Sequence, residues 1–356
     1  MNLIDWRELY AANRAVIEGR TAEPAAWPVT RGGPAGLALP GLAAGAPPGA
    51  FPAEAPADTP GGTWKRIAHG GRPVFVYTPP ELADDAPAPL VVALHGCTQT
   101  AATFSAGSLL NRAADRHGFV VAYPEQSREH NAQCCWNWFT SGHQARGAGE
   151  PAFIAGATRA LVGGAGRAAI DPDRVFVAGM SAGGAMASVM AATYPDVFAA
   201  AAIHSGLAFG SARSLPAATS AMTRGAPDPD AQGRAALAAM GAQARPVPAL
   251  VVHGTADAIV CPVNGEHAAR QWLVTNALAA GADADGAPAT VREPAAPGGR
   301  AATRRTWTAP DGRTLVEHLE VDGLGHGWSG GAPGGSYTDA RGPSAAEAIS
   351  AFFARA

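Results

Sequence analysis

The stretch 174–187 constrains the fold more than any other part of the chain. It reads Arg-Val-Phe-Val-Ala-Gly-Met-Ser-Ala-Gly-Gly-Ala-Met-Ala, which is an apolar run, a Gly-x-Ser-x-Gly pattern and an alanine-rich segment. This order predicts a strand, a sharp turn and a helix. Gly179 and Gly183 leave room for the turn, so Ser181 is lifted clear of the sheet. The amide of Ala182 then lies at a helix N-terminus, where it can donate to an anionic oxygen.

The Gly-x-Ser-x-Gly pattern occurs twice, at Ser181 and again at Ser329. No apolar strand precedes Ser329, and the glycine- and proline-rich residues 330–335 that follow it cannot begin a helix. We therefore take Ser181 as the candidate nucleophile and Ser329 as a loop residue.

Short apolar runs alternate with helical segments from about residue 63 onward. Such alternation predicts a mostly parallel central sheet that is flanked by helices on both faces. The expected strands are 73–77, 90–94, 119–123, 174–178, 199–203, 249–252 and 314–321, and the expected helices are 108–117, 152–162, 182–193, 265–280 and 344–354.

The composition divides the chain into three parts. Residues 1–20 carry apolar side chains at helical spacing and predict an amphipathic helix. Residues 21–62 are dominated by Ala, Pro and Gly and predict an irregular linker. Residues 63–356 are expected to form one α/β domain, with a candidate cap insertion at about 206–248.

The composition also argues against several classes of partner. The net charge is −3 and charged residues make up 15% of the 356 residues, so no nucleic-acid partner is expected. No apolar run approaches the ~20 residues that a membrane-spanning helix needs, so no membrane partner is expected. The N-terminus lacks the pattern of a secretory signal, and no Cys/His cluster has the spacing of a metal site. The oligomeric state has no signature in the sequence.

A serine hydroxyl becomes nucleophilic when a base takes its proton and a carboxylate orients that base. In an α/β-hydrolase the acid and then the histidine follow the serine, on loops after later strands. Residues 250–257 are an apolar strand that ends in Asp257, and 319–326 are a strand and a glycine-rich loop that ends in His326. We therefore predict an α/β-hydrolase catalytic domain over 63–356, with Asp257 as the orienting acid and His326 as the general base.

Other residues compete for these roles. Asp322 is the alternative acid, although it lies on the same loop as His326. His204 and His253 lie in or at the end of apolar strands and are expected to be core or supporting groups. The histidines in helical, loop or alternating-strand settings are expected at the surface: His117, His130, His143, His267 and His318.

The strand predicted at 90–94 breaks into His95-Gly96-Cys97. The second oxyanion donor of an α/β-hydrolase comes from the loop after an early strand, so we predict that the amide of Cys97 donates. The thiol of Cys97 is not expected to act as the nucleophile, because no separate base is assigned to it.

Large aromatic side chains accompany the predicted site loops. Trp136 and Trp138 follow two adjacent cysteines at 134–135, and Trp328 is two residues from His326. Loop aromatics form a small core cluster or line a substrate pocket. We predict pocket lining, which favours an apolar acyl or alcohol group in the substrate.

The chain has four cysteines, Cys97, Cys134, Cys135 and Cys261, which are too few for a disulfide scaffold of this length. Three of them lie in segments that we assign to the site. Pairing of Cys97 with either Cys134 or Cys135 is therefore our hypothesis, and such a bond would indicate an oxidising compartment.

Five blocks, in this order, resemble the poly(3-hydroxybutyrate) depolymerase-type esterases, a group related to bacterial feruloyl and acetylxylan esterases. The resemblance assigns the triad roles to Ser181, Asp257 and His326. It assigns the oxyanion roles to the amides of Cys97 and Ala182. The blocks are Leu-His-Gly-Cys-Thr-Gln at 94–99, Cys-Trp-Asn-Trp-Phe at 135–139, the elbow segment at 173–186, His-Gly-Thr-Ala-Asp at 253–257 and Gly-Leu-Gly-His-Gly-Trp-Ser-Gly-Gly at 323–331.

The resemblance implies a serine carboxylesterase of the depolymerase type that needs no cofactor. Its expected substrates are short-chain hydroxyalkanoate esters and oligomers, cleaved through an acyl-enzyme on Ser181. The alternative is a feruloyl or acetylxylan esterase that acts on plant cell-wall esters, and aryl esters suit an aromatic pocket equally well. A peptidase or a non-catalytic binding protein on this fold is disfavoured, the latter because all three triad residue types are present. Members of the family are often secreted to the extracellular region, and a cytoplasmic location is the alternative.

Overall fold

The computed structural model describes residues 3–4, 29–30, 61–82, 86–166 and 168–356. Near the N-terminus, Leu3–Ile4 (β1) pairs antiparallel with Val29–Thr30 (β2). Leu3 and Ile4 are therefore not part of the helix predicted over 1–20. The other residues of that helix, and those of the linker 21–62 apart from 29–30 and 61–62, lie outside the described residues.

A ten-stranded sheet forms the centre of the described domain. Its strands are Thr63–His69 (β3), Arg72–Thr78 (β4), Ala88–Leu94 (β5), Val120–Pro124 (β6), Ile170–Met180 (β7), Ala200–His204 (β8), Ala249–Gly254 (β9), Ala289–Glu293 (β10), Ala302–Thr308 (β11) and Thr314–Val321 (β12). Their order across the sheet is β10-β11-β12-β9-β8-β7-β5-β6-β4-β3.

The middle strands, from β12 to β6 in this order, all run parallel. Every residue of β6, β8 and β9 is buried, as expected for parallel strands that are covered on both faces. Antiparallel strands complete both edges of the sheet. Because parallel strands end on the same side, the loops after β5, β7, β9 and β12 gather at one edge of the sheet.

Helices cover the sheet on both faces. One face carries Gly149–Ala160 (α3), Ala182–Thr193 (α4), Leu215–Arg224 (α5), Pro229–Met240 (α6) and Val263–Ala279 (α7), and the other carries Ala101–Ser108 (α1), Leu110–His117 (α2) and Ala345–Phe353 (α8). This three-layer arrangement is that of an α/β-hydrolase, as the sequence predicted.

The helix predicted at 108–117 is found as α2, and a separate helix, α1, lies directly before it. Leu109 adopts a left-handed backbone conformation with φ +60°, which ends α1 and begins α2. The first of these helices was not predicted; it starts at a capping box in which Thr100 and Thr103 exchange side-chain-to-backbone hydrogen bonds. Gly107 lies in the last turn of α1, but the left-handed residue is Leu109, a residue type that gives no signal for such a break.

The insertion 206–248 folds into α5 and α6. The second of these helices packs along α7, and the first ends beside the loop that follows β9. There the carbonyl of Met222 accepts hydrogen bonds from the Cys261 amide (2.8 Å) and from Asn264 Nδ2 (3.0 Å). The insertion therefore borders the acid-bearing loop, while its role as a cap stays a prediction. Within the described ranges, no helix has the length and apolarity to cross a membrane.

Candidate active site

The strand β7 ends directly before Ser181, and α4 begins directly after it. Ser181 has φ +56° and ψ −120°, a strained conformation for a residue with a side chain. Its amide donates to the carbonyl of His204 (2.9 Å), and its carbonyl accepts from the Ala185 amide (2.9 Å). The surrounding backbone therefore holds the serine in this conformation.

Two glycines make the turn sterically feasible. A Cβ atom at Gly179 would lie 2.2 Å from the carbonyl oxygen of Gly183. A Cβ atom at Gly183 would lie 2.0 Å from the carbonyl oxygen of Leu94, at the end of β5. Neither position can accept a side chain without movement of the backbone, so the elbow packs directly on the loop that follows β5.

The loops after β9 and β12 bring a carboxylate and an imidazole together. His326 Nδ1 donates to Asp257 Oδ2 at 2.8 Å, and both side chains are buried. The other carboxylate oxygen, Oδ1, accepts the amides of Ile259 and Val260, each at 2.9 Å. The carboxylate is thus fixed by its own loop and orients the imidazole.

Electrostatics favours the ionised form of this carboxylate. Burial opposes ionisation of Asp257, but the charge and hydrogen bond of His326, with His253 and the Val260 amide, hold the pKa of the carboxyl below its usual value. An ionised acceptor keeps the proton of His326 on Nδ1, which makes Nε2 the basic nitrogen.

The loop after β5 lies against the serine. A Cβ atom at Gly96 would be 3.5 Å from the Cβ atom of Ser181. The Gly96 amide donates to Gln99 Oε1 (2.9 Å), and the Thr98 amide donates to the Gln133 carbonyl (2.7 Å). The amide of Cys97 stands between them, and no acceptor for it lies among the described residues.

Cys97 forms a disulfide with Cys135, one of the two partners that the sequence left open. Within the described ranges, Cys134 and Cys261 take part in no disulfide. The bond joins the loop after β5 to the aromatic segment at 135–139.

Two residues that compete for roles in the site make their contacts elsewhere. Asp322, the alternative acid, is half exposed and forms an ion pair with Arg292. Ser329 was expected in a loop but lies in the two-residue strand Trp328–Ser329, which pairs parallel with Thr338–Asp339. It is buried, and its Oγ donates to the carbonyl of Pro343 at 2.7 Å. Over the described ranges, no group of three or more His, Cys, Asp or Glu side chains could hold a metal ion.

Similarity to known proteins shows the family of this chain. Residues 74–297 match the family model described as Esterase PHB depolymerase. The chain belongs to this family. It is similar to poly(3-hydroxyalkanoate) depolymerase C of Paucimonas lemoignei, with 37% identity over 242 residues that cover 67% of this chain and 55% of the relative.

Two further relatives of this esterase family member are fungal. A probable acetylxylan esterase A of Aspergillus clavatus is 32% identical over 207 residues, which cover 56% of this chain and 65% of that protein. Feruloyl esterase B of Neurospora crassa is 34% identical over 206 residues, 56% of this chain and 68% of that protein. The chain thus spans 55% and 65% of the lengths of the depolymerase and the Aspergillus clavatus relative.

The solved structure of an acetyl xylan esterase from Aspergillus awamori has the same fold. It superposes with a TM-score of 0.65 at 24% identity, over 83% of this chain and all of that chain (100%).

The three tryptophans differ from the expectation for pocket walls. Trp136 is 0% exposed and packs against the His95 ring, with centroids 5.7 Å apart. Trp328 is 1% exposed and stacks on the ring of His204 at 4.8 Å. The structure therefore corrects the prediction for these two indoles, which pack in the core beneath the loops. Trp138 is 5% exposed, and pocket lining stays a prediction for this residue alone.

Burial also corrects the prediction for His318. It was expected at the surface because β12 alternates in polarity, yet it is buried under α7. His204 and His253 are both buried, as predicted.

Two residues that border the site were given no role from the sequence. Tyr337 has φ +52° and places its ring edge-on to the imidazole of His326, with centroids 6.3 Å apart. Gln99 joins the loop after β5 to the segment before this tyrosine, since its Nε2 donates to the Ser336 carbonyl at 2.9 Å. Gln99 ends the block at 94–99 and Tyr337 lies in none of the five blocks. The sequence indicated neither role, because the contacts that bring these residues here are formed between distant segments.

Proposed function

We propose that this member of the PHB depolymerase family is a serine carboxylester hydrolase, with residues 63–356 as its catalytic domain. The observation that carries the proposal is the hydrogen bond between buried Asp257 and His326 at the sheet edge where Ser181 is strained at its elbow. A carboxylate-oriented imidazole and a serine on a sharp strand-to-helix turn are the parts that acyl transfer requires.

In the proposed first half-reaction, Ser181 Oγ attacks the ester carbonyl carbon while His326 Nε2 takes its proton. The carbonyl oxygen becomes an oxyanion that accepts hydrogen bonds from the amides of Cys97 and Ala182. His326 then returns the proton to the departing alcohol as the C–O bond breaks. The products of this step are the free alcohol and an acyl-enzyme.

In the second half-reaction, water attacks the acyl-enzyme and His326 accepts one of its protons. Collapse of the tetrahedral intermediate breaks the bond to Ser181, and the same proton restores the serine hydroxyl. Asp257 remains a carboxylate throughout and stabilises the imidazolium that forms in each half-reaction. No redox step and no co-substrate other than water is required.

We propose short-chain hydroxyalkanoate esters and oligomers as the substrates. A relative that is 37% identical over 242 residues is a poly(3-hydroxyalkanoate) depolymerase, which supports this choice. The second candidate is an acetyl or feruloyl ester of plant cell walls, supported by the names of the fungal relatives.

Two measurements test the proposal. A fluorophosphonate should label the protein at Ser181, and Ser181→Ala should abolish both labelling and hydrolysis of p-nitrophenyl butyrate. Labelling at another residue, or undiminished turnover by Ser181→Ala, would refute the reaction type.

To test the choice of substrate, the rates of hydrolysis of hydroxybutyrate trimer, methyl ferulate, acetylated xylan and polymer granules should be compared. Faster hydrolysis of the ferulate or the xylan than of the trimer would favour the second candidate.

A further inference from the structure

His204 touches both the serine elbow and the loop that carries His326. It is the last residue of β8 and is buried. Its backbone carbonyl accepts the amide of Ser181 (2.9 Å), and its imidazole Nε2 accepts the amide of Ser329 (3.0 Å). One residue therefore joins the two segments whose relative position determines whether a proton can pass between them.

The imidazole makes a second contact with the same loop. Its ring stacks on the indole of Trp328, with centroids 4.8 Å apart and planes inclined by 17°. Trp328 and Ser329 are the second and third residues after His326. The ring of His204 therefore contacts the segment that directly follows His326.

Only one form of the imidazole fits these contacts. An amide N–H can donate to Nε2 only when that nitrogen carries a lone pair, so the proton of a neutral ring must be on Nδ1. Nδ1 then donates to Ser205 Oγ, which lies 3.1 Å away. A protonated ring would set an N–H group against the N–H of Ser329. Burial, with the charges of His253 and His326, lowers the pKa of His204 to about 3. The ring therefore stays neutral at pH 7.

We infer that His204 is a positioning residue: through its neutral imidazole it holds the loop of His326 in a fixed position relative to the elbow of Ser181. This inference rests on the proposed function. A misplacement of about 1 Å between reacting groups can reduce a rate roughly 100-fold. The hydrogen bond from the Ser181 amide to the His204 carbonyl involves only backbone atoms, so side-chain substitutions of His204 leave it in place. Such variants change the support of the loop that carries His326 and not that of Ser181.

Two substitutions separate the contacts of the ring. His204→Phe keeps an aromatic ring against Trp328 but leaves the Ser329 amide without its acceptor. His204→Gln loses the stacking, while its Oε1 can reach the position of Nε2 and accept the bond. We expect kcat on p-nitrophenyl butyrate to fall about 10- to 100-fold in His204→Phe with KM little changed, and fluorophosphonate labelling of Ser181 to slow equally. His204→Gln should recover a large part of the loss.

His318 provides a matched control. It is likewise buried in the same sheet, and burial, with His253 and Arg305, lowers its pKa to about 3 as well. We assign it no contact with Ser181 or with the loop of His326. His318→Phe should therefore keep wild-type kcat. A wild-type kcat in folded His204→Phe would overturn the inference, as would an equal loss in His318→Phe, because that pattern reports general destabilisation.

The wild-type protein offers a test that does not depend on how the variants fold. In protein labelled with ¹⁵N-histidine, His204 should show a protonated Nδ1 and an unprotonated Nε2 at pH 7. A proton on Nε2 would overturn the inference. Failure of the wild-type protein to react with fluorophosphonate would instead refute the proposed function, whatever the tautomer.

Discussion

At the scale of single residues, steric room at the elbow decides whether the nucleophile can be presented. Gly183 and the carbonyl of Leu94 approach so closely that a methyl group would overlap the oxygen. The same contact places Ser181 beside the loop with the Cys97 amide. A glycine here is therefore a requirement of backbone packing between β5 and α4.

Gly183→Ala should destabilise the protein severely, by about 3 kcal/mol or more, because overpacking at rigid backbone has no flexible side chain to absorb it. Gly286→Ala is the matched control, since its Cβ atom would meet nothing within 4 Å and its φ is not in the left-handed region. Denaturant unfolding of both variants measures the difference. Equal stability of the two would contradict the close approach.

The choice between two carboxylates belongs to this scale as well. Asp257→Asn should lower kcat by roughly 10³- to 10⁴-fold, because an amide in place of the carboxylate no longer holds the productive tautomer of His326. Asp322→Asn should stay near wild type, since this side chain pairs with Arg292 near the surface. Steady-state kinetics on p-nitrophenyl butyrate distinguishes them, and the reverse order would reassign the acid.

At the scale of elements, the loop after β5 is held by segments that are far away in the chain. Cys97 is bonded to Cys135, and Gln99 bonds both Gly96 and the carbonyl of Ser336. A buried carboxylate supports the other side of the disulfide, because Glu150 accepts the Asn137 amide at 2.7 Å. The position of the predicted oxyanion donor therefore depends on three other segments, which contain Cys135, Ser336 and Glu150.

Removal of the disulfide should loosen this loop. We expect Cys97→Ser and Cys135→Ser to lower kcat about 10- to 100-fold, since the Cys97 amide would no longer be preorganised. Cys134→Ser should keep wild-type kcat, because Cys134 is free. Thiol titration of the denatured protein should find two thiols before reduction and four after it. Four thiols before reduction would show that the bond does not form.

At the scale of the whole molecule, buried ionisable groups couple the fold to pH. Burial lowers the pKa of His95 to about 4 and is the largest cause of the pKa values near 3 at His204 and His318. In the unfolded chain these rings take up a proton near pH 6.5. The unfolded state therefore binds more protons below this pH, and the fold loses stability as the pH falls toward the folded pKa values.

Two buried carboxyl groups add to this trend at lower pH. Burial opposes ionisation of Asp257 and Glu150, yet their histidine partners and hydrogen-bond donors hold both pKa values below normal. Their contribution is present above the unfolded pKa and is lost as the pH falls through the folded value.

The free energy of unfolding should therefore decrease steadily from about pH 6.5 to pH 4. Each histidine that stays neutral contributes a slope of about 1.4 kcal/mol per pH unit. His318→Phe removes one such group, so its slope between pH 4 and 6 should be smaller by about that amount. Urea unfolding at several pH values provides the measurement, and an unchanged slope would mean that His318 is not held neutral by the fold.

The sequence by itself determined the parts of this protein that are written in local patterns. The apolar runs and the helical segments between them specified the parallel sheet, and the elbow around Ser181 was legible because strand, glycines and helix are adjacent in the chain. The order of strand ends that carry Asp257 and His326 was enough to predict that these two side chains meet. Such features depend on side-chain periodicity and backbone conformation within a few residues.

Only the tertiary structure decided which groups pack together across the chain. The edge strands β3, β10 and β11 were missed because their residues are largely polar and partly exposed, so they form by pairing with a neighbour rather than from an apolar pattern. Burial of Trp136 and Trp328, the choice of Cys135 over Cys134 and the link through His204 all depend on contacts between segments that are distant in sequence. Local propensity does not predict such contacts, because they form and stabilise the protein only when the sheet and its loops are assembled.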